Sequence, residues 1–131
     1  MNPEVVTIGL GYIGLPTSAL IASQGTNVLG VDLNESVVDT INQGKIHIIE
    51  PDLESIVSKA VSKGYFKAST KASPAEVFLI VVPTPFKGNY EPDISFVEAA
   101  TKVIIPLLKK DDLFIIESTS PVGTTEKVFE Y

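Results

Sequence analysis

Hydrophobic and polar positions follow two periods along the chain. Short unbroken apolar runs recur at Val5-Val6-Thr7-Ile8, Val28-Leu29-Gly30-Val31, Val77-Phe78-Leu79-Ile80-Val81-Val82 and Leu113-Phe114-Ile115-Ile116. Runs of this length, rich in β-branched residues, read as strands buried on both faces. They predict strands over 5–8, 27–32, 77–82 and 113–117. A shorter and more polar strand over 66–70 suits a position near a sheet edge. Between the runs, apolar positions fall at helical spacing. Ile13, Leu15, Ala19, Leu20 and Ala22 share a face of a helix over 13–24. Its Pro16 lies in the first turn, where a missing N–H is tolerated, and Gly25 is the stop. Asn34 caps a helix to 43 that Gly44 ends, and Asp52 caps a helix over 53–63 that Gly64 ends. Ser95, with Glu98 three residues on, opens a helix over 95–110, which Pro106 kinks or ends early. Residues 45–51 and 86–93 read as loops, and Ser73-Pro74 as a loop or a single helical turn. Residues 118–123 read as a turn, and 124–131 as the start of a last helix.

The order is β-α-β-α-α-β-(α)-β-α-β-(α). Strands separated by helices indicate an α/β, doubly wound (Rossmann) parallel sheet with helices on both faces. Such a domain usually has six strands. The expectation is therefore one domain over 1–131, truncated after about five strands. No internal repeat, low-complexity tract or charge block interrupts it.

Composition changes the picture in three respects. The 131 residues carry a net charge of −6, which argues against a nucleic-acid-binding surface. Phosphate ligands stay open, because backbone N–H groups bind them without Lys or Arg. There is no cysteine, so a disulfide, a zinc-thiolate site and a Cys nucleophile are all absent from these residues. No apolar run has the length of a membrane span, and the N-terminus lacks a basic region followed by an apolar one. The expected location is the cytoplasm, with no membrane or nucleic-acid partner.

The chemistry concentrates after the first strand, in Gly9-Leu10-Gly11-Tyr12-Ile13-Gly14. In the order strand, G-x-G-x-x-G, helix, each glycine has a task. Gly9 allows the tight turn, Gly11 leaves room for a pyrophosphate, and Gly14 lets the helix pack closely. Tyr12 and Ile13 supply N–H groups at the positive end of the helix. Asp32, closing the second strand, can accept from ribose hydroxyls and would repel a 2′-phosphate. Leu33-Asn34-Glu35 offers no cation to offset it, so NAD is preferred over NADP. The alternatives are a β-α turn without ligand, and an Asp32 that serves only to start a helix. Thr84 lies between two prolines at the carboxyl end of the third apolar run, where ligands of open α/β sheets bind. Plain loop chemistry explains it equally well. The hydroxyl-rich 118–125 leads into a helix and can hold an anionic or hydroxylated group, or act as a cap cluster. His47, the only histidine, sits among isoleucines and reads as a partly buried structural residue. Glu50 and Asp52 lack a third ligand, so no metal is expected.

Together these segments resemble the nucleotide-sugar 6-dehydrogenases, the UDP-glucose/UDP-N-acetylmannosamine dehydrogenase family. The stretches that carry the resemblance are Ile8-Gly9-Leu10-Gly11-Tyr12-Ile13-Gly14-Leu15-Pro16, Gly30-Val31-Asp32, Val82-Pro83-Thr84-Pro85 and Glu117-Ser118-Thr119-Ser120-Pro121-Val122-Gly123-Thr124-Thr125. Ile46-His47-Ile48-Ile49-Glu50-Pro51-Asp52-Leu53 and Pro83-Thr84-Pro85-Phe86-Lys87-Gly88 look most like the UDP-N-acetyl-D-mannosamine branch. The resemblance implies oxidation of C6 of a UDP-sugar to the uronate by two NAD in turn, through a Cys-bound thiohemiacetal and thioester. It implies NAD contacts at Tyr12, Ile13, Asp32, Thr84 and Thr125. Thr119 matches a threonine that positions water for thioester hydrolysis. The implied Cys and Lys, a central helix and a UDP-sugar-binding domain have no counterpart in these 131 residues. The expectation is thus an N-terminal cofactor domain, inactive alone, of an enzyme that is a homo-oligomer when full-length.

Three other readings compete. A non-catalytic nucleotide-sensing module shares the glycine turn and distal acid, but not the proline-flanked Thr84 or the 118–125 turn. A methyltransferase also places a glycine turn before an acid, but its cofactor has no pyrophosphate for the helix end. A different NAD enzyme, such as a 3-hydroxyacid dehydrogenase, is disfavoured by the later motifs.

Overall fold

Strand β1 (Val5–Ile8) is buried along its whole length, with a strand neighbour on each edge. In the computed structural model, which describes residues 3–82, 86–87, 91–92, 95–117 and 128–129, it is the centre of a five-stranded sheet. The order is β3-β2-β1-β4-β7, with β2 at Val28–Val31, β3 at Phe66–Ser69, β4 at Val77–Ile80 and β7 at Leu113–Ile116. All neighbouring pairs are parallel, with Val5 opposite Val28 on one side and Val77 on the other. β1 coincides with its predicted run, and the other four strands lie within theirs and end one or two residues sooner. The chain steps outward from β1 to β2 to β3, then returns to β4 beside β1. The order therefore reverses between β1 and β4, where such sheets open a crevice at their carboxyl ends.

Alternation along the strands divides the core into two layers. Val5 faces one cluster with Leu15, Ala19, Val57 and Ala60. These come from α1 (Gly14–Ser23) and α3 (Leu53–Ser62), and α2 (Glu35–Asn42) adds Val38 and Ile41. Val6 and Ile8 face the other cluster with Phe78, Ile80, Val97 and Ile104, the last two from α4 (Ser95–Ile104). Asn34 caps α2 as expected, its Oδ1 accepting from Ser36 N at 3.0 Å and Val37 N at 3.4 Å. Pro106 ends α4 rather than kinking it: a 3₁₀ turn occupies Ile105–Leu107.

Three expectations need correction. Asp52 precedes α3 but its side chain makes no capping bond. Its backbone is left-handed, φ 63°, a region that Asp tolerates better than most residues. That turn brings Leu53 into the core, and Leu53 N donates to Glu50 O at 3.3 Å. His47 is exposed, not partly buried, because the irregular 45–51 segment turns Ile48 inward instead. The supposed loop 86–93 contains a small antiparallel pair, β5 (Phe86–Lys87) with β6 (Glu91–Pro92). Of the predicted helix 124–131, Val128 and Phe129 are helical and the rest lies outside the described residues.

The edge strand β3 is braced from outside. Ala68 N donates to Asn42 Oδ1 at 2.8 Å, and Asn42 Nδ2 donates to Ala68 O at 2.9 Å. One side chain at the end of α2 thus replaces the missing strand neighbour at that residue.

Candidate functional site

The glycine turn leaves β1 through a narrow gap. Gly9 N continues the ladder by donating to Val31 O at 2.8 Å, and Gly9 then takes φ 104°. A Cβ at Gly9 would overlap the carbonyl oxygen of Val81, at the end of β4. Only glycine satisfies both the dihedral and the contact. A Cβ at Gly14 would overlap the carbonyl oxygen of Gly9, so Gly14 is required by its own turn more than by the strand. Gly11 differs. It is exposed, and a Cβ there would meet no atom within 4 Å. The protein's own packing does not call for glycine at this position, which is where a ligand would approach the backbone.

Beyond Gly11 the chain enters α1, with Leu15 N donating to Gly11 O at 3.1 Å and Thr17 N to Ile13 O at 3.0 Å. The N–H groups of Tyr12 and Ile13 have no acceptor among the described residues. Ile13 makes no side-chain cap, and no acidic residue lies in the first turn. The positive end of this helix is thus uncompensated, and the side chains of Tyr12 and Ile13 are exposed, 66% and 57%.

Asp32 is half-buried and bonded on both oxygens. Its Oδ2 accepts from Leu10 N at 3.2 Å, and its Oδ1 from Asn34 N at 3.0 Å. It does not cap α2, since Asn34 does that. Each oxygen keeps acceptor capacity for a further donor. Gly30, two residues earlier, leaves room for the turn: a Cβ there would lie 2.7 Å from a methyl carbon of Leu10.

A cleft of about 580 Å³ opens beside Gly9 and Asp32. Ile8, Val31 and Val82 form its apolar floor, and Phe96, Ala99 and Val103 of α4 line its wall. Its rim includes Lys71, which sequence reasoning missed. The signal was available only through pairing: Val31 lies opposite Ser69, so the residues after β3 stand beside those after β2. Phe96 was missed as well, because it reads as an ordinary position on an amphipathic helix.

Gly9, Gly11, Tyr12, Ile13, Gly14 and Asp32 thus surround one end of the sheet. Thr84, Thr119 and Thr125 lie outside the described residues. β4 and β7, which precede them in sequence, end at the same edge of the sheet as β1. Among the described residues no group of three or more His, Cys, Asp or Glu could hold a metal, and no helix is long and apolar enough to cross a membrane.

Comparison with known proteins places this geometry among its relatives. The profile of the UDP-glucose/GDP-mannose dehydrogenase family, NAD binding domain, matches residues 3–131. An NDP-N-acetyl-D-galactosaminuronic acid dehydrogenase from Ralstonia nicotianae is 55% identical over 127 residues, covering 97% of this chain and 30% of the relative. The UDP-N-acetyl-D-mannosamine dehydrogenase of Escherichia coli K12 is 58% identical over 127 residues, with the same coverage, 97% and 30%. Among solved structures, a UDP-N-acetyl-mannosamine dehydrogenase from Staphylococcus aureus superposes with a TM-score of 0.93 at 41% identity, covering 96% of this chain and 31% of that one. The chain spans about 30% of the length of the curated relatives it matches.

Proposed function

The chain belongs to the UDP-glucose/GDP-mannose dehydrogenase family as its NAD-binding domain, and from that premise we propose that it holds the NAD of a UDP-N-acetyl-D-mannosamine 6-dehydrogenase. The enzyme oxidises the C6 hydroxyl of the UDP-sugar to the uronate with two NAD. The mannosamine reading is supported by 58% identity to the Escherichia coli enzyme, against 55% to the galactosaminuronic acid enzyme. It also agrees with the sequence of the 46–53 and 83–88 segments. As part of the same reading, the protein works in the cytoplasm as a homo-oligomer. The first of these rests on composition and the second on the resemblance.

The observation that carries the cofactor assignment is the free helix end beside a turn whose middle glycine no packing contact requires. A pyrophosphate fits the N–H groups of Tyr12 and Ile13, where fixed dipoles offset its charge without a basic side chain. Gly11 keeps a side chain out of that approach. Asp32 accepts from the adenosine ribose hydroxyls, and its carboxylate repels a 2′-phosphate. The apolar cleft between the strand ends and α4 takes the adenine and shields it from water. When bound, NAD supplies the hydride acceptor. Thr84 and Thr125 are proposed as further cofactor contacts, and Thr119 as a residue that positions water near the reacting carbon.

None of the 131 residues is a cysteine, so the thiol that the resemblance implies comes from elsewhere. Replacing the matched segment of the Escherichia coli relative with this chain tests the proposal. The chimera should form NADH with UDP-N-acetyl-D-mannosamine, the sugar being chosen by the relative's own domain and the NAD held by this one, while the 131 residues alone form none. A folded chimera that forms no NADH counts against the reading.

A further inference from the structure

Cofactor preference in this site is set by more than the loop that follows Asp32. β2 and β3 are parallel neighbours in the register Val31 to Ser69, and Asp32 N donates to Ser69 O at 3.1 Å. The next residues of β3's exit, Thr70 and Lys71, therefore stand beside Asp32 and Leu33, and all four line the same cleft. Lys71 N donates to Ser69 Oγ at 3.1 Å, which fixes the backbone of this exit. The Lys71 side chain is exposed, and among the described residues its ammonium has no partner.

We propose that Lys71 tunes the cofactor preference: it offers a cation to a 2′-phosphate on the adenosine ribose, and Asp32 outweighs it so that NAD is the cofactor taken. The proposal rests on the cofactor reading above and adds to it. Neighbouring parallel strands lie about 4.8 Å apart, and a lysine carries its charge on a flexible four-carbon stem. Because Lys71 and Asp32 line one cleft on neighbouring strand exits, that stem is long enough to bring its charge toward the space around Asp32. A 2′-phosphate brought there meets one attractive and one repulsive charge. The carboxylate prevails in the intact site because it is half-buried and fixed by Leu10 N and Asn34 N, whereas Lys71 is exposed to solvent. With NAD the ribose is uncharged, and Lys71 contributes little.

The test is a fluorescence titration of NADH and NADPH against the 131-residue chain and its Lys71→Met, Asp32→Asn and doubly substituted forms. Asp32→Ser serves as a second background, and circular dichroism monitors folding throughout. Asp32→Asn should tighten NADPH binding about tenfold, the scale of removing one close like charge. Adding Lys71→Met should then weaken NADPH about fivefold and NADH less than about twofold, as expected for one charge-assisted contact at a wet rim. The Lys71-dependent part should shrink at high salt, which a structural role would not do. In the wild-type background, Lys71→Met should weaken adenosine 2′,5′-bisphosphate but not AMP. The proposal is overturned if NADPH binds no tighter in either Asp32 variant, or if Lys71→Met leaves both 2′-phosphate probes unchanged. Failure of the wild-type chain to bind NADH at all would instead overturn the cofactor reading.

Discussion

The carboxylate of Asp32 accepts a hydrogen bond from the backbone N–H of Leu10 at 3.2 Å, across 22 residues of sequence. The acid that closes the second strand therefore holds the turn that follows the first. Its other oxygen takes Asn34 N, so the group that accepts from ribose also sets the shape of the pyrophosphate turn. Asp32→Ala should cost about 1–3 kcal/mol of stability, because two backbone donors lose a charged acceptor at a partly solvated site. It should also weaken NADH binding at least about tenfold, the factor that 1.4 kcal/mol represents. Thermal or urea unfolding, with NADH titration on the folded variant, reads both effects.

The three glycines of the turn should separate by unfolding alone. Gly9→Ala combines a left-handed dihedral with an overlap on Val81 O, and Gly14→Ala overlaps Gly9 O. Each should destabilise by about 2 kcal/mol or more, from strain and overpacking together. Gly11→Ala should unfold within about 1 kcal/mol of the wild type, since its Cβ meets nothing and exposed substitutions are small in effect.

Asn42 offers a structural prediction away from the site. Asn42→Ala removes both bonds to Ala68 and leaves the edge of β3 unsatisfied at that residue. The expected loss is about 1–3 kcal/mol, with faster amide exchange at Ala68. NADH affinity should change little, because neither Asn42 nor Ala68 lines the cleft.

Asn34→Ala should cost about 1 kcal/mol through the loss of the α2 cap. Asn34 N still donates to Asp32 in this variant, so cofactor binding should persist. Loss of NADH binding with retained stability would show that the Asn34 side chain touches the ligand.

Local pattern reached the strands, the helices and the glycine turn, because each is written in adjacent residues: an apolar run, a cap, a stop, a G-x-G-x-x-G. Val5–Ile8 and Gly14–Ser23 fall where the pattern puts them to within a residue. The rest depended on partners distant in sequence. Asn42 and Ala68 are 26 residues apart, and nothing local to either marks the pair. Lys71 reaches the cleft only through the register of β2 with β3. Asp52 looked like a cap because Asp before an apolar helix usually is one. Here the need to bury Leu53 selects a left-handed turn instead.

The most direct test of the central claim is a calorimetric titration of NADH into the wild-type chain and into Gly11→Val. A Cβ at Gly11 meets no atom within 4 Å, and circular dichroism checks that the larger valine leaves the variant folded. Saturable one-to-one binding to the wild type, weakened at least about tenfold in a folded Gly11→Val, is the predicted result, since a side chain there blocks the pyrophosphate. Equal affinity in the two proteins, or no binding by a folded wild type, would contradict it.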